Sequence, residues 1–171
     1  MKQYLFLTIL TLTIFSCKET NQQNKQIIQG DIYIKLIDFQ SIIYNLPDEE
    51  LKKFKEGITN PNQNNYSDSE KKSSEYFKIL IEHDLFGKPF FKLKTKSEKI
   101  INVYTTENEY LKLKKELKDL DRDKQKITVQ FEGNKISNGI FDADKIFDQA
   151  IYETKKIISI KKTQGKTYWD K

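Results

Sequence analysis

Residues Tyr4 to Ser16 carry no charge and are dominated by Leu, Ile, Phe and Thr; after Cys17 comes the polar stretch Lys18 to Gln26 (KETNQQNKQ). This abrupt change limits the fold more than any other feature of the chain. The apolar run is about a dozen residues long, short of the roughly 20 that span a bilayer core. It has no polar stripe with which a helix could face water. The polar stretch has no large apolar residue to bury, so it cannot offset the entropy lost on ordering. Neither segment is expected in a core. Residues 29–171 remain, the length of one ordinary domain.

Lys2 precedes the apolar run, and Ile14-Phe15-Ser16-Cys17 ends it. One positive charge, an apolar stretch and a small residue before the cut are the layout of a secretory signal. The last four residues resemble the lipobox of bacterial lipoproteins: an aliphatic residue at −3, a small one at −1 and the cysteine at +1, with Phe15 at −2 as the departure. The resemblance covers the first seventeen residues only. It implies removal of residues 1–16, diacylglycerol on the Cys17 sulfur and an acylated new amino terminus. Residues 17–28 then become a lipidated cysteine and its tether. Several acyl chains at about 0.8 kcal/mol per buried CH₂ make a firm anchor. Lys18 stands where an aspartate commonly retains lipoproteins in the inner membrane, so the resemblance points to the outer membrane of a two-membrane cell. Cys17 is the single cysteine, and no disulfide can form within the chain.

The body reads as alternating strands and helices. Gly30 to Asp38 alternates, with Ile32, Ile34 and Leu36 on one face. Pro47 and the acids Asp48, Glu49 and Glu50 open a helix carrying Leu51, Phe54 and Ile58. Asn60 to Asn65 is a loop by composition. Ser67-x-x-Glu70 is a capping box before a second helix with Tyr76, Phe77, Leu80, Ile81 and Leu85. Phe90–Thr95 and Ile100–Thr105 form a hairpin, and Thr106-x-x-Glu109 opens a third helix with Leu113, Leu117 and Leu120 on one side. Lys126 to Glu132 alternates around Ile127, Val129 and Phe131. Gly133-Asn134 then predicts a two-residue hairpin turn, with Lys135 to Phe141 returning. A short helix over Asp142–Ile151, a strand over Glu153–Lys162 and an edge strand after Gly165 complete the series. The order predicts an α+β domain, a mostly antiparallel sheet with helices packed on one face. The charged run Asp119 to Lys124 suggests a sub-boundary near 121–125, and residues 126–171 could close a small barrel of their own.

Chemistry-bearing patterns are sparse. His83 is the single histidine, and its neighbours Glu82 and Asp84 point about 100° apart on a helix, so the three do not converge. Asp142, Asp144 and Asp148 lack the oxygen ligand and the Gly that a calcium loop needs, since Ile146 and Phe147 stand in those places. Gly165-Lys166-Thr167 lacks the first Gly of a phosphate loop, with Ile160 in its place. No serine elbow is present, and no cofactor or metal site is expected. Tyr152, Tyr168 and Trp169 are the candidate binding surface; the competing reading has the Tyr-Trp pair close over the core.

The net charge is +5, and lysines and acids are interleaved as on a solvated surface. Nucleic acid is not an expected partner. The expected role is a non-enzymatic binding or scaffolding module of the cell envelope, membrane-bound through Cys17 and engaging a protein or other envelope component. An immunity or inhibitor lipoprotein acting on an envelope toxin or hydrolase is the sharper variant. A hydrolase using paired carboxylates is the enzymatic alternative, and binding of an apolar ligand the third.

Overall fold

β1 (Gln26–Ile34) is hydrogen-bonded along both of its edges. The structure, a computed structural model, describes residues 25–34, 46–59, 67–97, 99–140 and 149–169. On one edge β1 runs antiparallel to β4 (Gln125–Ser137), with Gln26 opposite Gly133 and Asp31 opposite Thr128. On the other it runs antiparallel to β2 (Phe90–Thr95), with Gly30 opposite Thr95 and Tyr33 opposite Lys92. β2 pairs with β3 (Ile100–Tyr104), β3 runs parallel to β5 (Ala150–Gln164), and β5 runs antiparallel to β4. The order β1-β2-β3-β5-β4 therefore returns to β1, and the sheet closes into a barrel. A three-strand meander, a fourth strand returning to the first and a fifth beside the third make a Greek-key barrel of the OB type. The two-residue β6 (Tyr168–Trp169) lies parallel to β1 at Tyr33 and Ile34, beyond the last β4 pairing.

The mostly antiparallel sheet and the helices of an α+β domain are present. α1 (Asp48–Thr59) and α2 (Asp68–Glu82) both lie between β1 and β2, and α3 (Glu107–Leu117) lies between β3 and β4. The Ser67 capping box forms as its spacing predicts. The Ser67 amide donates to Glu70 Oε2 at 2.7 Å, and the Glu70 amide donates to Ser67 Oγ at 3.4 Å. The Ser67 hydroxyl and then its amide hold the Glu70 carboxyl below the ordinary range. Pro47 precedes α1 rather than beginning it, its carbonyl accepting from the Leu51 amide.

Strand alternation separates two cores. Ile32, Leu93, Val103, Ile127, Val129 and Phe131 point into the barrel, where Leu113 of α3 joins them and Leu117 and Leu120 pack alongside. Leu113 is the residue that α3 buries in this core. The opposite faces of β2, β3 and β5 carry Phe90, Tyr104 and Ile151, which pack with Tyr76 and Leu80 of α2 and with Leu85 and Phe86 just after it. At about 1.5–3 kcal/mol for each large side chain buried, both cores matter to stability.

Several expectations are corrected. β1 spans Gln26–Ile34 rather than starting at Gly30, so its first residues lie inside the stretch read as tether. Residues 35–38 and the loop over 60–65 lie outside the described residues. β4 passes straight through Gly133-Asn134 with no hairpin turn. Its register to β5 shifts there, and Gly133 sits where β5 crowds it. A Cβ on Gly133 would meet the Glu153 carbonyl oxygen at 2.4 Å and the Phe131 ring at 2.9 Å. The glycine serves a bulge and a close approach, not a turn. Of the helix expected over 142–151, residues 142–148 lie outside the described residues, while Ala150 and Ile151 already belong to β5. Residues 126–171 form no separate barrel, and no boundary falls at 121–125. β4 pairs with β1 and β5 with β3 across that turn.

Gly30 is the second steric requirement. It faces β4 and β2 at once, and a Cβ there would lie 2.8 Å from the Lys94 carbonyl oxygen. Gly57 in α1 meets nothing within 4 Å. Urea unfolding is expected to show Gly133→Ala and Gly30→Ala each destabilising by about 1–3 kcal/mol through overpacking. Gly57→Ala should stabilise by about 0.5–1 kcal/mol through helix propensity. Equal effects at all three positions would contradict the barrel's crowded seams.

Candidate functional site

Strand alternation that sends Ile28 and Ile32 inward sends Gln29 and Asp31 out, and β4 likewise presents Lys126 and Thr128 on either side of Ile127. These side chains meet on the outer surface where β1 is shared between β4 and β2. A cleft of about 470 Å³ opens there, lined among others by Asp31, Lys94, Lys96, Lys126, Thr128 and Tyr168. Lys126 Nζ donates to Asp31 Oδ2 at 2.6 Å, and Thr128 Oγ1 donates to Asp31 Oδ1 at 2.7 Å. The pair is half-buried, with 20% of the Asp31 side chain and 29% of the Lys126 side chain exposed.

Tyr168 closes one side. The Lys94 ammonium stands 4.0 Å from the centre of its ring, a cation–π contact, and the residue is 39% exposed. The segment before it is tied down firmly. Thr167, 1% exposed, donates from Oγ1 to the Gln125 carbonyl at 2.6 Å, and its amide donates to Arg122 O at 2.9 Å. The Gly165 amide donates to Lys124 O at 3.0 Å. The turn at 121–125 thus anchors the C-terminal segment, which holds the Tyr168 ring beside the cleft.

The three aromatic candidates are placed differently. Tyr168 lines the cleft. Trp169 follows it in β6 with its backbone opposite Ile34, its side chain lying outside the described residues. Tyr152 packs against the barrel core, edge-on to Phe131 with ring centres 6.3 Å apart, and burial pushes its phenol above the ordinary tyrosine value. Cys17 and the three aspartates at 142, 144 and 148 lie outside the described residues. His83 is exposed at the C-terminal end of α2 and does not line the cleft. Asp31, Lys94 and Lys126 escaped the sequence reading, because outward positions of a strand are legible but their partners are not. Lys126 and Asp31 are 95 residues apart.

Chemically the cleft offers, among the described residues, three lysines, one exposed ring, hydroxyls, amides and one carboxylate already paired. Paired-carboxylate hydrolysis takes two. Among the described residues no three His, Cys, Asp or Glu side chains gather closely enough to hold a metal ion, and no helix is long and apolar enough to cross a membrane. No protein-family model, no curated protein and no solved structure matches the chain.

The Asp31–Lys126 pair joins β1 to β4 beside the closure. Asp31→Ala strips a half-buried ammonium of its partner and is expected to cost about 1–3 kcal/mol by urea unfolding. Replacing both groups, as Asp31→Ala with Lys126→Met, should recover part of that loss, since no charge is left unpaired. A double variant destabilised by the full sum of the two single losses would show that the pair does not bridge the strands.

Proposed function

We propose that the protein is a lipid-anchored, non-enzymatic binding module of the cell envelope. Cys17 holds it to the membrane, the outer membrane where the cell has two, and a protein partner engages the cleft beside Tyr168. The observation that carries the reading is the cleft itself: a half-exposed aromatic ring topped by Lys94, beside Lys96 and Lys126. Amphipathic aromatic rings held rigidly beside charge suit recognition, because little side-chain entropy is lost on binding. The surplus of positive charge favours an acidic segment of the partner. The non-enzymatic reading draws support from Asp31, the one carboxylate among the described residues of the cleft, already engaged by Lys126 and Thr128, and from a lining that does not include His83.

Crosslinking in cells with tagged full-length protein tests this directly. Wild type should sediment with membranes and recover one partner reproducibly, while Cys17→Ala should leave the membrane fraction and recover less. Tyr168→Ala and Lys94→Glu should stay in the membrane yet lower partner recovery about tenfold or more, as loss of a central contact does. Full recovery with both cleft variants would remove the cleft from the reading. Identical fractionation of wild type and Cys17→Ala would remove the anchor.

A further inference from the structure

α3 carries a second surface, on the side away from Leu113. Leu111 is followed by Lys114 and Lys115 three and four residues on and by Lys118 a further turn on, which places all four on one side of the helix and its C-cap, and Arg122 lies in the turn beyond. Leu111 is 51% exposed, and with Leu117 it floors a shallow groove of about 520 Å³ whose remaining lining is these four cations. Lys114, Lys115 and Lys118 take part in no ion pair among the described residues. The acids nearby are engaged elsewhere: Glu109 with Lys112, Glu116 with Lys162, Asp121 with Lys124 and Asp123 with Lys166. Among the described residues Glu107 at the head of the helix and Asp119 beside the stripe remain, so Lys114, Lys115 and Lys118 keep the stripe positive.

We propose that this stripe docks the domain onto anionic phospholipid headgroups, with Leu111 entering the interface between the lysines. Exposed leucine flanked by cations on one helical face is the composition of an interfacial surface. Each lysine brought to an anionic bilayer strengthens binding about fivefold. The proposal gains from the Cys17 anchor but does not depend on it. From Cys17 to Lys25 the chain can reach at most about 28 Å. A domain of this length has a radius of gyration of about 15 Å, so an anchored one never leaves the headgroups by more than its own width. Under that tether, a modest attraction suffices to choose which face turns to the membrane.

Lysine footprinting on the full chain distinguishes the outcomes. The protein is floated with phosphatidylcholine vesicles, with or without phosphatidylglycerol, and amine acetylation is read site by site by mass spectrometry. Lys156 and Lys161, exposed on β5, serve as references. Acetylation of Lys114, Lys115 and Lys118 should fall about fivefold or more on the anionic vesicles alone. The protection should vanish at high salt, and the references should not change. A chain with Lys114→Gln, Lys115→Gln and Lys118→Gln should give Leu111-containing peptides no vesicle-dependent protection in hydrogen exchange. Flotation with both vesicles and no selective protection leaves the anchor standing and overturns the stripe. Flotation with anionic vesicles alone, abolished by salt, upholds the stripe and overturns the anchor. Flotation with neither overturns both. Protection by polyglutamate but by no vesicle assigns the stripe to an acidic protein and overturns the membrane proposal.

Discussion

The structure depends on one strand having neighbours on both sides. Gly30 and Asp31 of β1 are paired with β4 and β2 at the same time, and without that double pairing the strands would form an open sheet with two exposed edges. Closure demands that backbones crowd, and the chain meets the demand with a residue that has no side chain. Closure also decides the surface. At a seam where alternation turns Ile28 and Ile32 inward, the outward positions of three strands are brought within a few ångströms of one another. Asp31, Lys126 and Lys94 become neighbours for the same reason that Ile32, Leu93 and Val129 do. Core and cleft are two faces of one joint.

Local chemistry in the sequence is faithful to local structure. The Ser67 capping box, the hairpin around Lys96 and the inward set Ile127, Val129 and Phe131 are legible, because each is settled within a few residues. Gly133-Asn134 shows where that ends. A glycine followed by asparagine after an alternating run suits a hairpin turn and a bulge equally well. What decides is Glu153, whose carbonyl oxygen would meet any side chain at Gly133, and Thr154, paired opposite. Both lie some twenty residues on, in a strand whose Lys155-Lys156 and Lys161-Lys162 pairs obscure its alternation. Pairing between distant segments has no signature in either segment alone. The cleft suffered likewise: Tyr168 could be singled out as an aromatic near the chain's end, while Asp31 looked like any polar residue on a strand. Tyr152 and Tyr168 are one residue type with opposite placements, one against Phe131 and one beside Lys94.

The helices inserted between β1 and β2 alter what this barrel can offer a partner. In OB-type barrels the outer face of the second and third strands is the usual platform for oligomeric ligands. Here that face is a core. Phe90 and Tyr104 stack with ring centres 5.1 Å apart, the Tyr76 and Tyr104 hydroxyls lie 3.1 Å apart, and Asn102 Nδ2 donates to Tyr76 Oη at 3.0 Å. Lys92, 7% exposed, donates to Gln149 Oε1 at 2.7 Å. Lifting α2 and the turn after it would expose Tyr76, Leu80, Leu85 and Phe86, at a cost on the order of 6–12 kcal/mol. A micromolar ligand supplies about 8 kcal/mol in all, and a domain's whole stability is about 5–15 kcal/mol. A ligand of ordinary affinity cannot open that face without bringing the domain close to unfolding. The seam beside Tyr168 and the stripe on α3 need no such rearrangement, since their lysines are already at the surface and their positions are held from beneath by Gly30 and Leu113. The insertion thus covers the outer face of β2 and β3, while closure and the third helix create the surfaces that stay open to solvent.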